Sequence, residues 1–291
     1  MKIVLTCILL TVSLFISAQT HYPIPDITWS PELQGAAEKG DVEAMRNLGI
    51  CIIEELGITA DENTAFPWFE KAAKKGDPES MTYVGDFYYG EFGDLFDEDV
   101  KTAFKWYKKA ADMGHPFGIY RLAECYELGD GIPEDENKYL QLLHQAADMG
   151  CPDACYQLAC KYKEGKTISK DMDKYNHYFT LAADGGILNA LTTMGKAYYS
   201  GKGVGIDYDR AFRYFCNAIK YIEEHDSGYG WLGEGMRMLS ACYRFGRGCK
   251  PDEALADKCL EIASHIESLK ANEIKDALKT INFNNVIPTN R

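Results

Sequence analysis

The chain has 291 residues, 46% hydrophobic and 26% charged, with a formal net charge of −13 at pH 7. That composition is ordinary for a globular protein, and its acidic balance speaks against nucleic acid and anionic membrane surfaces as partners, because both would repel it. The length alone would suggest two compact domains, but internal repetition makes that count uninformative.

Residues 1–18 read as a secretory signal peptide. Lys2 supplies the positive start, Ile3 to Ile16 a mostly apolar stretch, and Ile16-Ser17-Ala18 a small residue for cleavage before Gln19. As a helix the apolar stretch would span only about 21 Å, short of the roughly 30 Å hydrocarbon layer. No later segment approaches membrane-spanning length. The expectation is an exported protein, periplasmic or extracellular after cleavage near Ala18, with no membrane insertion. Residues 19–40 form an N-terminal segment and capping helix, opened by Ser30 and Pro31 and running to about Lys39.

From there a pattern returns: two alanines, two variable residues, then glycine. Copies begin at Ala36, Ala72, Ala110, Ala146 and Ala182, with weaker ones at Ala218 and Ala263. A near-constant period of this size signals a stacked array, because one unit cannot bury its apolar face alone. In one unit a first helix is expected from Pro78 to Tyr89, with Asp77 as its cap and Met81, Val84, Gly85 and Tyr88 at helical spacing. Gly90 and Gly93 break the chain. A second helix is expected from near Asp97, ending at Gly114. The paired alanines are small so that a neighbouring backbone can approach.

The register repeats. Leu48-Gly49, Val84-Gly85, Leu122-Ala123, Leu158-Ala159, Met194-Gly195 and Leu239-Ser240 mark a close contact, and Tyr88, Tyr126, Tyr162, Tyr198 and Tyr243 follow it. Gly129-Asp130-Gly131, Gly201-Lys202-Gly203-Val204 and Gly246-Arg247-Gly248 make the turns. Segments such as Met194–Ile219 and Tyr83–Pro116 resemble the Sel-one-like repeat, a relative of the tetratricopeptide repeat. The resemblance covers about Ala36 to Ala263, departing from the pattern at Gly165, before Gly57 and at Cys249.

The resemblance implies an all-α, right-handed α-solenoid of about six helix-turn-helix repeats. The array occupies residues 41–268, and a C-terminal capping helix from Ala271 to about Ile281 with a polar tail occupies 269–291. The resemblance also implies a monomeric, non-catalytic scaffold that binds a protein or peptide on a concave surface lined by first helices. The longest interval, between Ala218 and Ala263, carries added residues from Tyr221 to Gly235. These are expected to give a long second helix and a Gly-rich loop holding Trp231, which either packs on the stack or serves as a further candidate partner contact.

Chemistry is sparse. No Ser-x-x-Lys, Gly-x-Ser-x-Gly, His-Glu-x-x-His or phosphate-loop motif occurs, and His115, His144, His177, His225 and His265 are scattered and expected at the surface. No catalytic, metal or cofactor site is expected. Cys151, Cys155 and Cys160 share one expected helix and cannot converge on zinc, and most thiols are expected to be small buried apolar residues. A cysteine-rich secreted bacterial branch of the resembled family carries a Cys-x7-Cys staple and has been linked to weak penicillin binding, which gives the alternative reading of a weak cell-wall or β-lactam-acting enzyme. Cys155 matches the second staple position, but Ala147 stands at the first. Cys242 with Cys249 is the pair best placed for a bridge on loop length.

The informative positions for binding are those that vary between units beside the repeating contact. They are Thr82, Tyr83 and Asp86; Tyr120, Arg121 and Glu124; Tyr156 and Gln157; and Thr192, Thr193 and Lys196, with Trp231 added. Tyrosines clustered with Arg and carboxylates resemble interface chemistry. Replacement of Tyr83, Tyr120, Arg121 and Tyr156 by alanine is expected to leave the melting temperature nearly unchanged while weakening capture of the partner.

Overall fold

A computed structural model describes residues 27–92, 99–225, 229–265, 271–279 and 281. Among them the chain is all-α, an array of helical hairpins without strands. The helices are α1 (Pro31–Glu38), α2 (Val42–Ile53), α3 (Phe66–Lys74), α4 (Pro78–Tyr89), α5 (Val100–Asp112), α6 (Pro116–Leu128), α7 (Glu136–Asp148), α8 (Pro152–Glu164), α9 (Met172–Asp184), α10 (Leu188–Ser200), α11 (Tyr208–His225), α12 (Tyr229–Phe245), α13 (Glu253–His265) and α14 (Ala271–Lys279). A short 3-10 turn, Glu62–Thr64, precedes α3. The expected signal peptide lies outside the described residues.

The chain divides into two compact units, residues 1–154 and 155–291. In the first, consecutive helices from α1 to α7 pack pairwise, and α4 also touches α6. In the second, α9 to α13 pack in the same consecutive manner. Each unit is built from the same hairpin.

Two features of the sequence close that hairpin. An Asp begins each later second helix: the Asp99, Asp135 and Asp171 carboxylates accept from the backbone N–H groups of the first turn. The same residues tie back through the chain, since the Asp99 N–H donates to the Tyr88 carbonyl at 2.8 Å and the Asp135 N–H to the Tyr126 carbonyl at 2.9 Å. The second feature is the small residue on the first helix. A Cβ at Gly85 would meet the Tyr107 ring, and one at Gly195 the Phe215 ring, so glycine lets each helix pair close onto an aromatic side chain. The alanine doublets do as expected: Ala72, Ala110, Ala146 and Ala182 are fully buried.

Three expectations need correction. The second helix of the 78–114 hairpin starts at Val100, capped by Asp99, later than the expected Asp97, which lies outside the described residues. Trp231 sits inside α12, two residues from its start. Its glycines did not make a loop there because Leu232, Met236 and Leu239 on one face are fully buried and hold the segment helical. Cys151 precedes α8, so the three clustered cysteines do not share one helix. The long α11 and the final helix were legible, the latter ending at Lys279.

Candidate functional site

The first helices carry the candidate residues, and in the residue 1–154 unit most of those residues are interior. Thr82, Asp86, Tyr83, Tyr120 and Arg121 are all buried. Tyr83 stacks on Phe69 with ring centroids 4.4 Å apart. The Thr82 hydroxyl donates to the Pro78 carbonyl and lies 3.1 Å from His115 Nδ1.

Around Arg121 the charges assemble into one cluster. Arg121 Nε lies 3.0 Å from Asp86, and its Nη1 lies 3.1 Å from Glu124 and 3.5 Å from Glu91. The Tyr107 hydroxyl donates to Asp86 at 2.8 Å, and the Tyr120 hydroxyl to Glu124 at 2.7 Å. One guanidinium thus faces three carboxylates. Burial, opposed by Arg121 and reinforced by the negative charges of Asp86 and Glu124, pushes Glu91 up to about 7. Burial likewise raises Glu124.

A second cluster lies one hairpin earlier. Arg46 reaches Asp77 at 2.7 Å and Glu79 at 3.2 Å. Beside it His115, expected at the surface, is half-buried and caps α6, its Nδ1 accepting from the Gly118 N–H at 3.3 Å. Burial pulls its pKa down to about 4, and a helix N-terminus also disfavours an imidazolium.

The reading of these positions as a partner surface is therefore corrected for Thr82, Tyr83, Asp86, Tyr120 and Arg121. They pack and pair within the fold, and a buried charge removed from its partner is costly, so alanine replacement at Arg121 would not spare stability. Glu124 keeps some exposure but belongs to the same cluster.

In the residue 155–291 unit the equivalent positions are open. Tyr156, Gln157, Thr193 and Lys196 are half-exposed, while Thr192 is buried with its hydroxyl on the Asn189 carbonyl. Asn189 Nδ2 donates to the Tyr156 hydroxyl at 2.8 Å, joining α8 to α10. Lys196 Nζ pairs with Glu234 at 2.6 Å, joining α10 to α12. Trp231, half-exposed, stacks on Phe215 with centroids 6.3 Å apart, so it packs on the helices around it.

Asn189, Glu234, Glu91 and Arg46 were not singled out from the sequence. Arg46 stands two residues before Leu48-Gly49, the register that also holds Thr82, Tyr120 and Tyr156, and could have been found by aligning the first hairpin. Glu91 follows Gly90, outside any periodic position, and carries no such signal. Among the described residues no group of three or more His, Cys, Asp or Glu side chains is arranged to hold a metal ion, and no helix is long and apolar enough to cross a membrane.

Six segments, residues 42–77, 78–115, 116–151, 152–187, 189–220 and 233–265, match the family model described as the Sel1 repeat. Among solved structures the chain is similar to a Sel1 repeat protein from Oxalobacter formigenes, at 27% identity and a TM-score of 0.56 over 86% of this chain and 68% of that one. It is also similar to a Sel1 repeat protein from Klebsiella pneumoniae, at 22% identity and a TM-score of 0.46 over 64% of this chain and 89% of that one. A third is a protective antigen of uropathogenic Escherichia coli, at 21% identity and a TM-score of 0.44 over 86% and 58%. No curated relative matches the chain.

Proposed function

Because the chain belongs to the Sel1 repeat family, we propose that it is an exported, non-catalytic scaffold that binds a protein or peptide through the first helices of its residue 155–291 unit. Repeats of this family are generally protein-interaction scaffolds, and the export reading rests on Lys2 and the apolar stretch behind it.

The observation that carries the reading is the half-open strip of Tyr156, Gln157, Thr193 and Lys196. It runs over two successive first helices, α8 and α10, and is pre-set by the Asn189–Tyr156 and Lys196–Glu234 contacts. Side chains already held in place lose less freedom when a partner docks, which favours binding. A tyrosine with a rigid ring and a polar tip is the residue type enriched at such anchors.

The test is comparative capture from envelope or culture fluid of the producing cell. Wild-type protein should retain a partner that a Tyr156→Ala/Lys196→Glu variant loses, with the variant's melting temperature unchanged. Equal capture by both proteins would remove this surface from consideration.

A further inference from the structure

Four hairpins place an apolar turn residue seven positions after the residue that precedes the repeating tyrosine. The pairs are Cys125 with Ile132, Lys161 with Ile168, Ala197 with Val204 and Cys242 with Cys249. Only in the last pair are both positions cysteine. Cys242 is fully buried near the end of α12, and Cys249 is half-exposed in the turn beyond it.

The turn is held against the helix on both sides. Arg247 N–H donates to the Cys242 carbonyl at 2.9 Å, and Asp252 N–H to the Tyr243 carbonyl at 3.0 Å. Gly246 and Gly248 take positive φ angles of 62° and 78°, which fold the strand of chain carrying Cys249 back toward α12. A Cβ at Gly248 would meet the Tyr208 carbonyl and the Phe212 Cβ, so the turn packs closely against α11.

We propose that Cys242 and Cys249 are a disulfide-forming pair, a modification site that staples the turn of the last hairpin to α12. The reaction is thiol–disulfide exchange with a small-molecule disulfide. Cys249, the thiol that solvent reaches, attacks as thiolate and expels one reagent thiolate, leaving a mixed disulfide. Cys242 then attacks the Cys249 sulfur and expels the second. The protein loses two electrons and two protons, and the reagent gains both as two thiols.

The surroundings fit this order of events. A charge on Cys249 raises Cys216, Cys242 and Cys259 in turn, so it lies in electrostatic reach of all three. Tyr243, 1% exposed, has a hydroxyl without a hydrogen-bond partner among the described residues, and Cys249 is among the groups that raise it. That buried O–H lies within electrostatic reach of a Cys249 thiolate. Burial raises Cys249 to about 11 and Cys242 to about 12, so at neutral pH the thiolate fraction is small and exchange is slow.

The test uses the full chain with oxidised glutathione, followed by alkylation, non-reducing digestion and peptide mapping. The expected product is one bridge, Cys242–Cys249, forming about tenfold faster for each pH unit between 7 and 9 as the thiolate fraction rises. Cys125, whose seven-residue partner is Ile132, should remain alkylatable only after denaturation and is the internal control. A Cys249→Ser variant should form no bridge while keeping its helical circular dichroism. Absence of the Cys242–Cys249 peptide at pH 9, or a bridge that maps to another pair, would overturn the proposal.

Discussion

The unit of residues 1–154 and the unit of residues 155–291 are written in the same repeat, yet their first helices treat equivalent positions oppositely. Tyr120, two residues before its small-residue contact, is 6% exposed and bonded to Glu124. Tyr156, in the same register, is half-exposed and accepts from Asn189. The difference comes from the neighbours. An arginine one residue on, at position 121, draws in carboxylates at 86, 91 and 124 and closes the surface. In the other unit the same register holds Gln157 and Thr193, which are neutral and short, so nothing is drawn over the tyrosine. Repeat register sets where a side chain stands, and the local charge pattern sets whether it is structure or surface.

The largest effect should come from breaking the cluster in the residue 1–154 unit. Replacing Arg121 with alanine strands Asp86, which is fully buried, beside two further carboxylates, and should cost about 3–5 kcal/mol in urea unfolding. An Arg121→Ala protein of wild-type stability would show that the cluster is only surface charge. Next in size is Gly85→Ala, whose added methyl meets the Tyr107 ring; strain of about 1–3 kcal/mol is expected in the same measurement.

The pH dependence sharpens the comparison, because Glu91 and His115, two groups shifted strongly within the acid-to-neutral range, lie in the residue 1–154 unit. Glu91 is raised from 4.5 to about 7. The folded form therefore holds a proton the unfolded chain has released, and its contribution is full below about 4.5 and lost as pH rises through about 7. His115 is lowered from 6.5 to about 4, so its contribution is present above about 6.5 and lost as pH falls toward about 4. The two slopes oppose each other. Glu91→Gln should leave only the loss on the acid side, and His115→Asn, which keeps a capping side chain, only the loss on the alkaline side. Each change should be on the order of 1–3 kcal/mol across this window. Melting curves at pH 4, 5.5 and 7 check both, and parallel profiles in the two variants would contradict the assignment.

The smallest stability effect belongs to the open strip. Gln157→Ala and Thr193→Ala should each move stability by less than about 0.5 kcal/mol, and a larger loss would place them in the interior with Tyr83.

The hairpins were legible in the sequence because their determinants are local and periodic: the Asp at each second-helix start, the small residue before each tyrosine, the alanine doublets. The clusters were not legible, because they join residues from different hairpins. Asp77 meets Arg46 across 31 positions, and Arg121 meets Glu91 across 30. Variation between units was read as a sign of surface, but Tyr83 and Asp86 vary because each fills a different interior neighbour, Phe69 in one case and Tyr107 with Arg121 in the other. For Trp231 the glycines around it suggested a loop, while the apolar face of Leu232, Met236 and Leu239 that made it helix was present in the same segment.

The central claim is that the open strip of the residue 155–291 unit meets the partner. It is tested most directly by placing a photo-crosslinking amino acid at Tyr156, at Thr193 and, as a control, at the exposed Lys105 on the second helix α5, then irradiating producing cells. The account predicts one common adduct from positions 156 and 193 that position 105 does not give. No adduct at 156 and 193, or the same adduct from all three positions, would contradict it.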